Sequence, residues 1–214
     1  VCGNVTSGKS TFLQTLIYSL INIYSPEQLN VYAIDFSNHM LQSFEKAPHV
    51  GNVMYENDNE KIDKFFYMLG KMLEERKKAI GGGNYGQFVN ANGYVFPSVL
   101  VAIDNYSNFR EKTDDKYERI IWELSRDGAS FGIFLAISAG GFGSIEIQNK
   151  IGENIRNVIA LDLGEKMKFS EILRINHLEV MPSGNKGRGL APYADTVLEF
   201  QTALSIEAED DYSR

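Results

Sequence analysis

The chain has 214 residues, of which 43% are hydrophobic and 23% charged, with a formal net charge of −7. This size and balance suit one well-cored α/β domain and exclude disordered and fibrous classes. No apolar run approaches the roughly 18 residues that cross a bilayer, and no signal-peptide pattern opens the chain. The single cysteine, Cys2, excludes an internal disulfide framework and fits a reducing compartment. The acid excess, with an acidic tail over 205–214 that carries Glu207, Glu209, Asp210 and Asp211, disfavours a grip on duplex DNA. Duplex binders show a basic stripe that neutralises phosphates, and only Arg76-Lys77-Lys78 and the Lys186/Arg188 pair come near one.

In chain order, Ser7 to Ile23 reads as a helix, with Phe12, Leu13, Leu16, Ile17, Leu20 and Ile23 at helical spacing before Pro26. Leu29 to Ile34 is a short β-branched run that ends at Asp35 and suits a parallel strand. Asn57 to Ile80 places Ile62, Phe65, Phe66, Leu69 and Leu73 on one broad helical face. Gly81-Gly82-Gly83 stops that helix, and the Gly/Asn/Tyr-rich stretch to Pro97 reads as a mobile loop. Val99 to Ile103, closed by Asp104, is the most strand-like run. A helix over Asp115 to Ser125 and a buried strand over Gly132 to Ile137 follow it. Asn157 to Leu161, a short helix around Glu165–Leu173, and two runs, Arg188 to Tyr193 and Thr196 to Ala203, complete the chain. The last two runs predict a β-hairpin at a sheet edge. Strands alternating with helices imply a mostly parallel sheet flanked by helices.

Gly3-Asn4-Val5-Thr6-Ser7-Gly8-Lys9-Ser10 matches the phosphate-binding pattern G-x-x-x-x-G-K-S/T. Its glycines let the backbone curl so that successive N–H groups face phosphate oxygens. Lys9 supplies a point charge to the β/γ-phosphates, and the helix that begins there presents its positive end. Ser10 is the expected Mg²⁺ ligand, and Thr11 is placed to reach the α-phosphate. Residues 3–11 therefore predict binding of ATP with magnesium. Asp104, at the end of an apolar strand, is the expected holder of the metal through water. Asp35 also ends a strand but lies too soon after the P-loop helix. In hydrolytic P-loop machines the position after that aspartate holds a glutamate that deprotonates water, whereas here it is Asn105. An amide cannot take the proton, so slow or crippled hydrolysis is expected. Only Val1 and Cys2 precede Gly3, where a P-loop normally follows a buried strand, so a fragment of a longer polypeptide is expected.

The order of these strings resembles the FtsK/SpoIIIE family of motor ATPases. Ile34-Asp35, Pro48-His49-Val50, the Arg76 end of Met72-Leu73-Glu74-Glu75-Arg76, Val99–Asp104 and Gly128-Ala129-Ser130-Phe131-Gly132-Ile133 carry the resemblance. It implies a RecA/FtsK-like P-loop fold over residues 1–214 as one domain. Within that family the chain is most similar to the last of the tandem ATPase domains of EssC/EccC-type motors of bacterial type VII secretion. That resemblance implies a membrane-anchored protein whose ATPase domains lie on the cytoplasmic face, with membrane contact only through other parts of the chain. The implied partners are the other ATPase domains of the same chain, secreted helical-hairpin proteins and a hexameric assembly, with no nucleic acid. Three positions depart from the family pattern: Asn105, Ala129 where Arg is common, and Ser138-Ala139-Gly140 in place of Thr-Gln-Arg-Pro. Gly3, Gly8, Lys9, Ser10 and Asp104 stay intact, so the resemblance implies an ATP holder that serves regulation or substrate docking.

The alternative is an active protein-translocating ATPase in which Glu111 or Asp114 replaces the missing glutamate, with a DNA translocase more distant. His39, His49 and His177 have no partner at metal-ligand spacing and read as surface or interface residues. Trp122 reads as a helix-to-core contact. Lys186-Gly187-Arg188-Gly189 reads as a hairpin turn before a contact to a neighbour's nucleotide, and Arg156 is the other candidate for such a contact.

Overall fold

The computed structural model describes residues 1–143 and 145–205. The acidic tail lies outside the described residues, Ser205 apart. The elements are α1 (Lys9–Ile23), β1 (Leu29–Asp35), β2 (Val50–Tyr55), α2 (Asn59–Ile80), α3 (Tyr85–Asn92), β3 (Ser98–Asp104), α4 (Tyr106–Lys112), α5 (Glu118–Asp127), β4 (Ile133–Ile137), α6 (Asn149–Gly152), β5 (Ala160–Leu161), α7 (Lys166–Leu173), β6 (Arg188–Tyr193) and β7 (Thr196–Gln201). Short 3₁₀ turns occupy Met40–Phe44 and Gly128–Phe131.

The first four strands form a parallel sheet in the order β2-β1-β3-β4, and β5-β6-β7 form an antiparallel sheet. The opening segment joins the two. Cys2 pairs in parallel with Ala139, just beyond β4, and with Ala160 of β5. Its amide donates to Ile159 O at 2.8 Å, and its carbonyl accepts from Leu161 N at 2.8 Å. The segment that leads into the P-loop therefore runs beside β4, and β4 separates it from β3. The β6–β7 hairpin forms the far edge, as the sequence predicts.

Strand β3 and most of β1, at the centre of the sheet, are buried on both faces, which is why they are near-continuous apolar runs. Alternate residues of β3 point opposite ways. Val99, Val101 and Ile103 pack with Ile62, Phe66 and Leu69 of α2 and with Ile121 of α5. Leu100 and Ala102 pack with Leu13 and Ile17 of α1. A third cluster, around Phe169 and Leu173 of α7, seals Cys2, Ala160 and Leu190. Trp122 packs against the α2 side of the sheet, in line with its sequence reading.

The stretch from Gly81 to Pro97 is not a simple loop, since it contains the eight-residue helix α3. Asn84 and Gln87 form a reciprocal capping box at its start, and Tyr85 is buried, its hydroxyl donating to Phe96 O at 2.7 Å. A capping box satisfies two of the orphan amide donors of a helix start, which offsets a weak local propensity. Helix α4 and the turn at Met40–Phe44 were likewise absent from the sequence reading, and α5 begins at Glu118 rather than Asp115. Arg76 gains a physical role at the end of α2. It is 2% exposed and donates to Pro97 O at 2.6 Å and to Phe131 O and Gly132 O at 2.9 and 3.1 Å. It thereby ties down the entries of both β3 and β4.

Candidate functional site

The loop between the opening segment and α1 turns sharply because Thr6 and Gly8 both take left-handed backbone, with φ of 66° and 104°. Gly8 is the N-cap of α1, and a Cβ there would lie 3.1 Å from Gly187 N, so a larger residue is excluded on two counts. Asn4 N donates to Asp162 O at 2.8 Å, and Ser7 O accepts from Gly187 N at 2.9 Å. The loop is thus held from both sides by the β5–β6 region. The Lys9 ammonium donates to Gly3 O and Asn4 O, each at 2.8 Å, a curled posture that points it across the loop mouth. Burial pulls its pKa below the ordinary lysine value, and the carboxylates of Asp104 and Glu146 pull it back up.

Across the loop, the ends of β1 and β3 bring Asp35 and Asp104 into register as neighbours. Asp104 Oδ2 accepts from Ser10 Oγ at 2.6 Å, and its Oδ1 accepts from Ser138 Oγ. Burial raises its pKa above the carboxylate range against those two hydrogen bonds, and Asp35 adds repulsion in the same direction. The pairing of Ser10 with Asp104 is the donor set a P-loop offers to Mg²⁺: one hydroxyl, one acid and oxygens left for phosphate and water. Among the described residues no group of three or more His, Cys, Asp or Glu side chains could hold a metal alone, and the three histidines are not gathered. Asp35, by contrast, is consumed by backbone: it accepts from Ser37 N, His39 N and Leu41 N at 3.0, 3.3 and 3.0 Å.

Asn105 adopts left-handed backbone, φ 60°, and caps α4, its Oδ1 accepting from Asn108 N at 3.4 Å. Its Nδ2 donates to Phe36 O at 3.1 Å, and its own amide donates to Ser138 Oγ at 2.9 Å. Both ends of the side-chain amide are engaged. Around these groups lies a cleft of about 740 Å³ lined by Gly3 to Thr6, Gly8 to Thr11, Phe36 to Asn38, Met40, Asp104, Asn105, Ser107, Asn108, Gly140, Glu146 and Lys186.

The cleft gathers the residues singled out from sequence. Ser7 is the exception among residues 3–11: it is buried behind the loop with an unpartnered Oγ. Glu111 and Asp114 are exposed at the far end of α4 and do not line the cleft. Lys186 does line it, from the same chain as the P-loop, while also forming the turn before β6. Arg156 is exposed away from the cleft. The sequence reading missed Glu146 and Ser107. The one local signal was the run of Gly140, Gly141 and Gly143 ahead of Glu146; in the fold a Cβ on Gly140 would fall 2.6 Å from the Glu146 carboxylate.

A curled glycine loop capping a helix, a lysine across its mouth and a serine bonded to a strand-end aspartate define a P-loop nucleotide-binding ATPase fold. The FtsK/SpoIIIE family model matches residues 1–172, and the chain belongs to that family. It is 30% identical, over 99% of its length, to the ESX secretion system protein EccC of Geobacillus thermodenitrificans, and it spans 14% of that protein. Among solved structures it is similar to EssC (ATPases 2 and 3) from Geobacillus thermodenitrificans, with a TM-score of 0.86 and 25% identity over 98% of this chain and 40% of that one. It is also similar to Thermomonospora curvata EccC (ATPases 2 and 3) in complex with a signal sequence peptide, with a TM-score of 0.79 and 27% identity over 95% of this chain and 37% of that one. Among the described residues no helix is long and apolar enough to cross a membrane.

Proposed function

We infer that this chain is one ATP-binding domain of a type VII secretion motor, part of a longer membrane-anchored protein, and that it holds Mg-ATP with slow hydrolysis. Residues 3–11 grip the phosphates, Ser10 and Asp104 hold the magnesium, and neighbouring ATPase domains of the same chain are the first partners. The observation that carries the reading is Asn105. It follows an intact Asp104, its side chain has no basic atom, and both its ends are tied to Phe36 and Asn108. The amide can neither take a proton from water nor swing freely toward one.

Bound ATP then acts as part of the fold. A ligand at about 1,000 times its Kd stabilises the state that binds it by about 4 kcal/mol. Isothermal titration with Mg-ATP, followed by phosphate release, tests this. The expected outcome is clear binding with turnover below the roughly 1–10³ s⁻¹ of ordinary enzymes. Absence of binding, or turnover inside that range, overturns it.

The signal sequence peptide held by the Thermomonospora relative supports a second role that is compatible with the first. This domain docks the signal of a secreted helical-hairpin protein. Fluorescence anisotropy with such a labelled peptide checks it, and unchanged anisotropy at high domain concentration contradicts it.

A further inference from the structure

Glu146 stands in the cleft without a place in the phosphate-gripping machinery. It arrives on the segment between β4 and α6, and its position is fixed by contacts from three directions. Its Oε2 accepts from Gly140 N at 2.8 Å and from Ser107 Oγ. Arg110 of α4 clamps the backbone beneath it, donating to Glu146 O at 2.8 Å and Ile145 O at 3.3 Å. Arg110 is itself braced by Asp115 at 2.7 Å. Ile147, next along the chain, is 2% exposed and anchors the segment in the core.

Among the described residues, both hydrogen bonds to the carboxylate fall on Oε2, so Oε1 keeps its lone pairs. Gly140 follows Ser138 at the end of β4, and Ser138 holds Asp104 and the Asn105 amide. The Gly140 amide thereby ties Glu146, on its own loop, to the segment that supports Asp104. Glu146 lines the same cleft as Lys9, Asp104 and Asn105, and its charge acts on Lys9.

We propose that Glu146 is the general base of this site, the carboxylate that takes the water proton Asn105 cannot take. This rests on the ATP-binding reading above. In the step, a water oxygen forms a bond to the γ-phosphorus while the bond from that phosphorus to the β,γ-bridging oxygen breaks. The bridging oxygen leaves with the electron pair on ADP. The water proton passes to Glu146 Oε1 and then to the phosphate released. Ser107 and the Gly140 amide orient the carboxylate and are positioning groups. A base offered from a loop, not from the strand end, suits slow turnover.

The test is single-turnover hydrolysis of γ-labelled Mg-ATP by the 214-residue chain, with ATP affinity measured in parallel. Glu146→Gln is expected to slow hydrolysis by about 100-fold, within the range of general-base loss, with ATP affinity within about twofold. Glu146→Ala is expected to regain part of the lost rate in added formate, which a purely structural loss would not. Ser107→Ala should slow hydrolysis about threefold, a milder loss because Gly140 N still holds the carboxylate. Glu111→Gln, exposed and outside the cleft, should match the wild type.

Unchanged hydrolysis in Glu146→Gln, or a wild type that binds ATP and never cleaves it, overturns the base assignment alone. A wild type that binds no Mg-ATP overturns the underlying reading as well. If Glu146→Gln fails to fold, Ser107→Ala decides: a rate equal to wild type counts against the assignment.

Discussion

β1 and β3 end alike, in Ile-Asp, and lie side by side so that Asp35 and Asp104 are partners in register, both almost wholly buried. Their surroundings divide their roles. Among the described residues Asp35 accepts only from backbone amides, so it organises the turn from Ser37 to Leu41, part of which lines the cleft. Asp104 accepts from two hydroxyls, Ser10 and Ser138, which can rotate away. A carboxylate held by amides is structural, and one held by hydroxyls is available for chemistry. The flanking residues do not show this difference, because both acids follow an isoleucine and the donors to Asp104 come from distant positions.

Paired substitutions sharpen the contrast. Asp35→Asn should cost about 2 kcal/mol or more in urea unfolding, because buried amide donors lose their acceptors. Asp104→Asn should weaken Mg-ATP binding at least about tenfold, or about 1.4 kcal/mol, by titration. Its free-state stability should not fall, since the amide removes a buried charge that burial already disfavours. Opposite signs in the free-state melts support the division, and matching losses break it.

Asn105 extends the comparison to an amide that caps a helix. Asn105→Ala should cost about 1 kcal/mol of stability through the lost cap, with little change in ATP affinity. A large loss of affinity instead would place the side chain in direct contact with nucleotide.

The smallest effect lies far from the cleft. The hydrogen bond from Arg126, helped by Lys77, lowers the Asp127 pKa to about 2. A depressed folded-state pKa stabilises the fold above the unfolded value of about 3.9, and that contribution is lost as pH falls through the window down to 2. The pair is partly solvated, so Asp127→Asn should remove about 1 kcal/mol or less at neutral pH and flatten that acid limb in pH-dependent melts.

The loop side of the cleft was legible in the sequence because a P-loop is local: Gly3 to Thr11 specify their own curl and the helix after it. Strand β3 was legible because burial on both faces demands an unbroken apolar run. Helix α3 was hidden because its stability comes from the Asn84–Gln87 capping box and the burial of Tyr85, amid residues of weak helix propensity. Glu146 was hidden for a different reason. Nothing in Ile145-Glu146-Ile147 signals a site until the chain folds back onto Gly140 and Ser107. Glu111 and Asp114 were nearer in sequence to the strand end, but α4 carries them away from the cleft.

The most direct test of an ATP-holding site is the nucleotide recovered from the purified Mg-ATP complex. The complex is incubated for many turnover times of an ordinary enzyme and then denatured for chromatography. The account predicts mostly intact ATP with a slow accumulation of ADP. Complete conversion to ADP at the first time point would contradict it.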